Sequence, residues 1–472
     1  MKKSALDAHG AAGRVTIVTL CLVQFVDVLG VTVVITALPS MLSGLGASSS
    51  AAPLVVTGYA MFFGGLLMLG ARLGDRYGHK RVLVVGLGLF GVASLLAATA
   101  AAVAALVAAR CLQGAAAALS VPSALRLLLE ATPGEDSRRR ALAGWSAAGA
   151  VAGASGFLLG GVLTDLAGWR LVFWVNLPLA ALLATAVLAR VSRSPRRGRG
   201  RLDLAGAGVL TCGVMAIVCG ASLLEHPGRR VLGVLALTAG AALLSVFLLV
   251  ERRAAEPLLP AAALRHPRLR TAAGAAALNT ATTSSAMTLA TLYVQDTRDA
   301  SPTAAGLLLV PCSLCVVAGS TAAAPLLRRH SPRAGIAVGL ATIAAGIALL
   351  LALPAADWLL PAGAGILGAG LGVSSVAANS LGTAVAPTLQ GTASGVLNTA
   401  AQLGTALGVS LLLLVAVTSE DVGLPLRGQS LAWACAATVA LAAAVAFRWR
   451  QRDDFAATGR SLRRGSSQPI GR

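Results

Sequence analysis

The sequence predicts an all-α integral membrane protein of fourteen spanning helices, on three observations. The 472 residues are 56% hydrophobic and only 12% charged, against roughly 25% charged in a soluble globular chain. Mean hydropathy is +0.80. The apolar residues also come in long uncharged runs separated by short basic clusters. A soluble protein of this length needs polar surface for two or three domains, and too little polar sequence is present to supply it. Disordered, collagen-like, disulfide-rich secreted and nucleic-acid-binding classes fall for the same reason.

A helix needs about 20 mostly apolar residues to cross the hydrocarbon. Residues 1–14 are polar and lead into a retained first span near 15–38, since no A-x-A cleavage site follows a short apolar core. Five further spans lie near 53–71, 82–102, 105–129, 140–163 and 170–190. A Pro-, Gly- and Arg-rich linker from Ser192 to Arg201 precedes a pair of spans near 204–224 and 230–250. The last six lie near 271–294, 303–327, 334–354, 358–382, 392–417 and 429–448, ahead of a polar tail expected to be disordered.

An even count puts both termini on one side of the membrane. With the N-terminus inside, thirty-two of the 38 Lys and Arg residues fall in inside segments, five fall outside, and Arg110 lies within a span. The positive-inside rule therefore places both ends in the cytoplasm. It also accounts for the formal net charge of +20 as topology and attraction to anionic lipid, so no nucleic-acid partner is implied. All seven cysteines lie in apolar runs, and Cys312 and Cys315 read as packing residues rather than a redox or zinc pair.

A weak internal repeat organises the spans. RCLQGAAAALSVPSALRLLLEATPG from Arg110 is echoed by GILGAGLGVSSVAANSLGTAVAPTLQG from Gly365, which aligns Gly114 with Gly370. The simplest account is two pseudo-symmetric six-helix bundles, 1–190 and 271–448, joined by a basic cytoplasmic linker (191–203), an inserted helix pair (204–250) and a cytoplasmic loop (251–270). Residues 449–472 form the tail.

Five groups of residues carry chemistry. The loop Ala71-Arg72-Leu73-Gly74-Asp75-Arg76-Tyr77-Gly78-His79-Lys80 is a glycine turn with one acid among bases. It can pair Asp75 with a helix N-terminus and Arg76 with a carboxylate, fastening one end of the bundle. Arg110-Cys111-Leu112-Gln113-Gly114 puts an arginine inside a span, where it either serves a cavity or snorkels toward the outer end. Asp27 is the only carboxylate near the middle of a span, with Gln24 one turn before it. It is either a functional acid or a buried structural one. Gly156, Gly160 and Gly161 permit close helix packing. Asn279, Asn379, Asn398 and Gln402 serve helix contacts or a ligand.

These motifs resemble the major facilitator superfamily. The Asp75 loop resembles its signature loop, with Ala71 for Gly and His79 for Arg. The R-x-x-Q-G of the fourth span resembles proton-coupled members. Fourteen spans, Trp169-Arg170, Glu251-Arg252-Arg253 and Asn398-Thr399-Ala400-Ala401-Gln402-Leu403-Gly404 resemble the drug:proton antiporter subfamily. Two departures stand out: Phe157 replaces the Pro of the subfamily's GPxxGG, and Gly30 occupies the position of its usual span-one acid.

The resemblance implies a proton-driven exporter of small apolar or cationic drugs in a bacterial inner membrane, working by alternating access and as a monomer. Its partners are then a small-molecule substrate, protons and the bilayer. Asp27 and Arg110 are expected to couple protons, with substrate and proton competing for one site. Gly74, Asp75, Arg76 and Gly78 form a conformational gate. Gln24, Gln113, Asn279, Asn398 and Gln402 line the substrate cavity, and Gly156, Gly160 and Gly161 are the packing motif. The alternative is a facilitator or proton symporter for a small metabolite on the same fold. No nucleotide-binding loop, metal-ligand cluster or catalytic constellation occurs, so no cofactor, no metal and no enzyme activity are implied.

Overall fold

A computed structural model describes residues 2–48, 51–132, 134–192, 203–224, 227–253, 266–353, 356, 358–385, 390–421 and 428–465. Most of the basic linker, residues 254–265 of the cytoplasmic loop, and residues 466–472 of the tail lie outside the described residues. The described residues form helices and no strand.

The first bundle holds α1 (Lys2–Gly44), α2 (Ala52–Tyr77), α3 (His79–Ala98), α4 (Val103–Glu130) and α5 (Glu135–Ala167). Its sixth span is broken at Val175 into α6 (Leu171–Trp174) and α7 (Asn176–Arg190). Pro178 explains the break, since it lacks an N–H and its ring crowds the carbonyl four residues back, that of Trp174. The inserted pair is α8 (Leu204–Leu224) and α9 (Arg230–Arg253). The second bundle holds α10 (Pro267–Leu292), α11 (Pro302–Arg329), α12 (Pro332–Leu350), α13 (Leu359–Gly382), α14 (Gln390–Asp421) and α15 (Gly428–Gly465). The last helix runs past Arg448, where the sequence places the start of the tail.

Thirteen stretches among the described residues are long and apolar enough to cross a membrane. The fourteenth expected span, α10, is long enough but carries Asn, Ser and Thr through its second half. Most of those hydroxyls are buried. Thr282, Thr283, Ser285, Thr288 and Thr291 each donate to a carbonyl four residues back on their own helix. Because α10 packs against α13, α14 and α15, its surface meets protein rather than lipid, and hydropathy understates its depth.

The two bundles repeat one packing scheme. In the first, α1 packs on α5, α4 and α7, while α4 packs on α2 and α3, and α3 on α7. In the second, α10 packs on α14, α13 and α15, while α13 packs on α11 and α12, and α12 on α15. The bundles meet through α2 on α14 and α5 on α11, a reciprocal pair under the same correspondence. This is the two-fold pseudosymmetry that the repeat predicts, with its register corrected by two residues. Gly114 of α4 faces α2, whereas Gly370 of α13 faces α12; the glycines facing α11 are Gly368 and Gly372. α8 packs on α2 and α14, joined by an apolar cluster of Met61, Leu210, Val214 and Ala406, and α9 packs on α8.

Polar contacts also join the bundles at one pole. Gln295 Nε2 donates to the Thr36 carbonyl at 2.8 Å, and the Thr303 amide donates to Asp165 Oδ2 at 2.9 Å. Gly161 of α5 and Gly306 of α11 sit where a Cβ would strike the opposing backbone, so the two helices touch main chain to main chain. The opposite pole carries the α2–α3 turn. Toward it, Leu142 and Val151 of α5 and Leu314 and Val317 of α11 are exposed.

Candidate functional site

The first candidate site begins with the spacing of α4. Arg110 and Gly114 are one turn apart, on one face of the helix. A Cβ at Gly114 would overlap the Tyr59 carbonyl, so glycine lets α4 lie directly on α2. That approach brings the Arg110 guanidinium over the Tyr59 ring, with Cζ 4.8 Å from the centroid. The tyrosine hydroxyl donates to Asp27 Oδ1 on α1.

Arg110 is 1% exposed. Its Nη1 donates to the Gly30 carbonyl at 3.1 Å and to Gln113 Oε1 at 2.9 Å, and its Nε donates to the Val55 carbonyl at 3.4 Å. Gln113 Nε2 in turn donates to Ser94 Oγ at 2.8 Å, and that hydroxyl donates to the Phe90 carbonyl at 2.8 Å. The snorkelling alternative is therefore excluded: the side chain lies inside the bundle and touches α1, α2 and its own helix. Gln113 is fully buried in this network and is not among the residues lining the cavity of the second bundle. Its amide is consumed on both sides by Arg110 and Ser94, as a buried amide must be.

Asp27 is 8% exposed. It makes no ion pair with Arg110 among the described residues; Tyr59 stands between them. Gln24, one turn away, is half-buried beside Gly149 of α5.

The second candidate site is a cavity of about 280 Å³ in the other bundle, lined from α10, α13 and α14. Thr280, Ser375, Asn379, Ser394 and Asn398 supply its polar wall and Ala276, Ala378 and Leu397 part of its apolar one. No charged residue lines it among the described residues. The Asn379 amide donates to the Ser375 carbonyl at 3.0 Å. Asn279 is buried one residue before Thr280 without lining the cavity, and neither polar atom of its amide has a hydrogen-bond partner among the described residues. Gln402 lies at the bundle interface, packed against Gly64 of α2, while Thr399 Oγ1 donates to the Gly64 carbonyl at 3.1 Å. The acid and this cavity share no lining residue among the described residues. A mid-span carboxyl offsets its desolvation with a donor inside its own bundle, which turns it away from the neighbouring one.

The third candidate site is the turn between α2 and α3. Gly78 adopts φ +93°, a conformation that favours glycine, and its N–H donates to the Gly74 carbonyl at 2.8 Å. His79 opens α3 and is buried, contrary to its expected place in a loop. Its Nε2 lies 3.1 Å from Asp75 Oδ1, and its ring fills the space over Gly74 that a Cβ would need. Lys80 Nζ donates to the carbonyls of Leu188 at 2.9 Å and Val191 at 2.6 Å, tying the turn to the end of α7. The expected carboxylate partner of Arg76 is absent among the described residues. Asp75 is turned onto His79, and Arg76 is exposed, its guanidinium 5.5 Å from the Tyr77 ring centroid.

Gly156 and Gly160 pack on α1 at Thr32, Val33 and Thr36, and Gly161 packs on α11 at Pro302. Two residues of the buried network escaped the sequence reading. Tyr59 carried a signal, because a tyrosine inside a span must satisfy its hydroxyl. Ser94 carried none.

The sequence model of the Major Facilitator Superfamily matches residues 20–409, with a second match over 272–471. The chain belongs to the Major Facilitator Superfamily. Among similar proteins, the cephamycin export protein CmcT of Amycolatopsis lactamdurans is 34% identical over 88% of this chain and 87% of its own. The puromycin resistance protein pur8 of Streptomyces alboniger is 38% identical over 84% and 80%. The lincomycin resistance protein of Streptomyces lincolnensis is 36% identical over 72% and 70%. A crystal structure of the peptide transporter POT with sulfate superposes with a TM-score of 0.70 at 16% identity, covering 93% of this chain and 94% of that one, which shows the fold alone. As a major facilitator protein the chain is a multi-pass membrane transporter of small molecules.

Proposed function

We propose that this transporter exports drug-like compounds, antibiotics among them, from the cytoplasm in exchange for protons by alternating access. The observation that carries the reading is the buried set Asp27, Tyr59 and Arg110, which holds the only two charges deep in the described spans. Relatives named for antibiotic resistance or export over most of their length support the direction of transport.

In this reading residues 1–190 and 271–448 rock about the pole closed by Thr36–Gln295 and Asp165–Thr303. The turn of Gly74, Asp75, Gly78 and His79 fastens the cytoplasmic pole in the alternate state. A proton taken up by Asp27 changes the packing of the first bundle, and the substrate meets the uncharged wall of the second. Amide and hydroxyl groups at Ser375, Asn379, Ser394 and Asn398 select a neutral hydrogen-bonding group on an otherwise apolar or cationic compound. Both termini face the cytoplasm of the cell that carries the protein in its inner membrane.

Everted membrane vesicles test the reading. A panel of labelled antibiotics, including puromycin, lincomycin and a cephamycin, is offered with and without an imposed pH gradient. Accumulation of at least one compound that collapses with the gradient supports proton-driven export. Gradient-independent equilibration of a small metabolite, with no antibiotic moved, selects the facilitator alternative, to which Gly30 and Phe157 give their weight.

A further inference from the structure

Arg110 holds a full charge inside the first bundle and touches no carboxylate among the described residues. Its partners are the carbonyls of Gly30 and Val55, the Gln113 side-chain oxygen and the face of Tyr59. Asp27, the buried acid of the same bundle, reaches only the Tyr59 hydroxyl among the described residues. One fully buried phenol is therefore bonded to the acid through its hydroxyl and stacked under the cation through its ring. Phe63 packs against that ring with centroids 5.9 Å apart, and Gly114 sets the distance between the helices. The titratable and charged groups around Tyr59 are Asp27 of α1 and Arg110 and Cys111 of α4. α3 contributes to the network only the neutral Ser94 and the Phe90 carbonyl.

We propose that Tyr59 is a positioning residue that reports the protonation of Asp27 to Arg110, in place of a direct carboxylate–guanidinium pair. When Asp27 is ionised, its carboxylate accepts a charge-assisted hydrogen bond and draws the phenol proton toward itself. The ring then gains electron density and its face holds the guanidinium more strongly. A proton arriving from solvent binds the free carboxyl oxygen of Asp27. Tyr59 keeps its own proton throughout, the hydrogen bond reverts to a neutral one, and the ring loosens its hold on Arg110. That side chain is then free to change its share of the Gly30 and Gln113 acceptors. α1, α2 and α4 are thereby linked by one protonation event, with no substrate in contact with the acid. The inference rests on the reading of Asp27 as the proton site.

Infrared difference spectroscopy on the full chain in lipid nanodiscs tests it without a substrate. Spectra are recorded across pH, and the carboxylic C=O band lost in Asp27→Asn is assigned to Asp27. In the wild type, arginine guanidinium bands change with the same midpoint as that band. Tyr59→Phe is expected to leave Asp27 titrating, raise the frequency of its C=O stretch and abolish the coupled arginine change. An arginine change that persists in Tyr59→Phe overturns the proposal while leaving Asp27 as the proton site. Bands that titrate unchanged in Asp27→Asn overturn both. Should Tyr59→Phe fail to reach the membrane, 3-fluorotyrosine at position 59 keeps the shape and strengthens the donor. It is expected to lower the Asp27 C=O frequency and, because fluorine withdraws electron density from the ring face, to shrink the arginine change. A spectrum identical to wild type overturns the proposal.

Discussion

At the scale of the residue, Asp27 and Arg110 owe their roles to different constraints. Asp27 sits about twelve residues into a span, near 18 Å along the helix at about 1.5 Å per residue, where little water reaches. Asp27→Asn keeps the Tyr59 hydrogen bond and removes the titration. Gradient-driven export should stop while the protein stays in the membrane, and Asp27→Glu should keep part of it. Vesicle transport with quantitative blotting checks both. Arg110 donates at once to acceptors on α1, α2 and α4, which a lysine ammonium cannot match in geometry. Arg110→Lys should therefore lower transport by at least about tenfold, equal to the loss of roughly one charge-assisted hydrogen bond of about 1.5 kcal/mol. Arg110 was readable as a cation inside a span, with snorkelling left open until the helix contacts placed it. Tyr59 was not singled out, because its partner lies 32 positions away in sequence.

At the scale of the element, the α2–α3 turn is short, glycine-dependent and anchored by three side chains. Asp75→Asn weakens the contact to His79 without touching the cavity of the second bundle, so exchange between states should slow while ligand affinity stays within a few-fold. Equilibrium binding alongside initial transport rates separates the two. Gly74→Ala puts a methyl group into the His79 ring and should destabilise the turn by about 1–3 kcal/mol, the range of small-to-large changes in tight packing; thermal unfolding in detergent measures it. The inserted pair makes the complementary case. α8 fills a groove between α2 and α14 with Leu210 and Val214, and it supplies no lining residue of the second-bundle cavity. Removing residues 204–250 should reduce the amount of assembled protein more than it alters the range of compounds moved, which expression levels and resistance profiles resolve.

At the scale of the whole molecule, closure of one pole by a few named contacts makes alternating access testable. In a background without the seven free cysteines, Asp165→Cys with Thr303→Cys places a solvent-accessible thiol on each bundle at that pole. A short thiol-to-thiol linker should stop transport, and cleaving the linker should restore it; transport that continues while linked refutes rocking about this pole. Orientation is checked by reporter fusions after Met1 and Arg472, both expected on the cytoplasmic side, and periplasmic activity at either end overturns the fourteen-span topology.

Membrane residence, the order of the helices and the pairing of two bundles followed from sequence alone. Lipid imposes a length and an apolar composition on each span, and charge clusters mark the ends. α10 shows where that logic stops: its hydroxyl-rich second half is shielded by neighbouring helices, so local hydropathy could not rank it with the rest. Which polar groups meet was decided by the tertiary structure. Gln113 sits with Arg110 and Ser94 instead of lining the second-bundle cavity, Arg76 lies on Tyr77 instead of a carboxylate, and Asp27 faces Tyr59 within its own bundle. Each outcome depends on helix rotation and spacing set by glycine contacts such as Gly114 on Tyr59. A linear pattern of polar residues on helices does not encode those quantities without their partners.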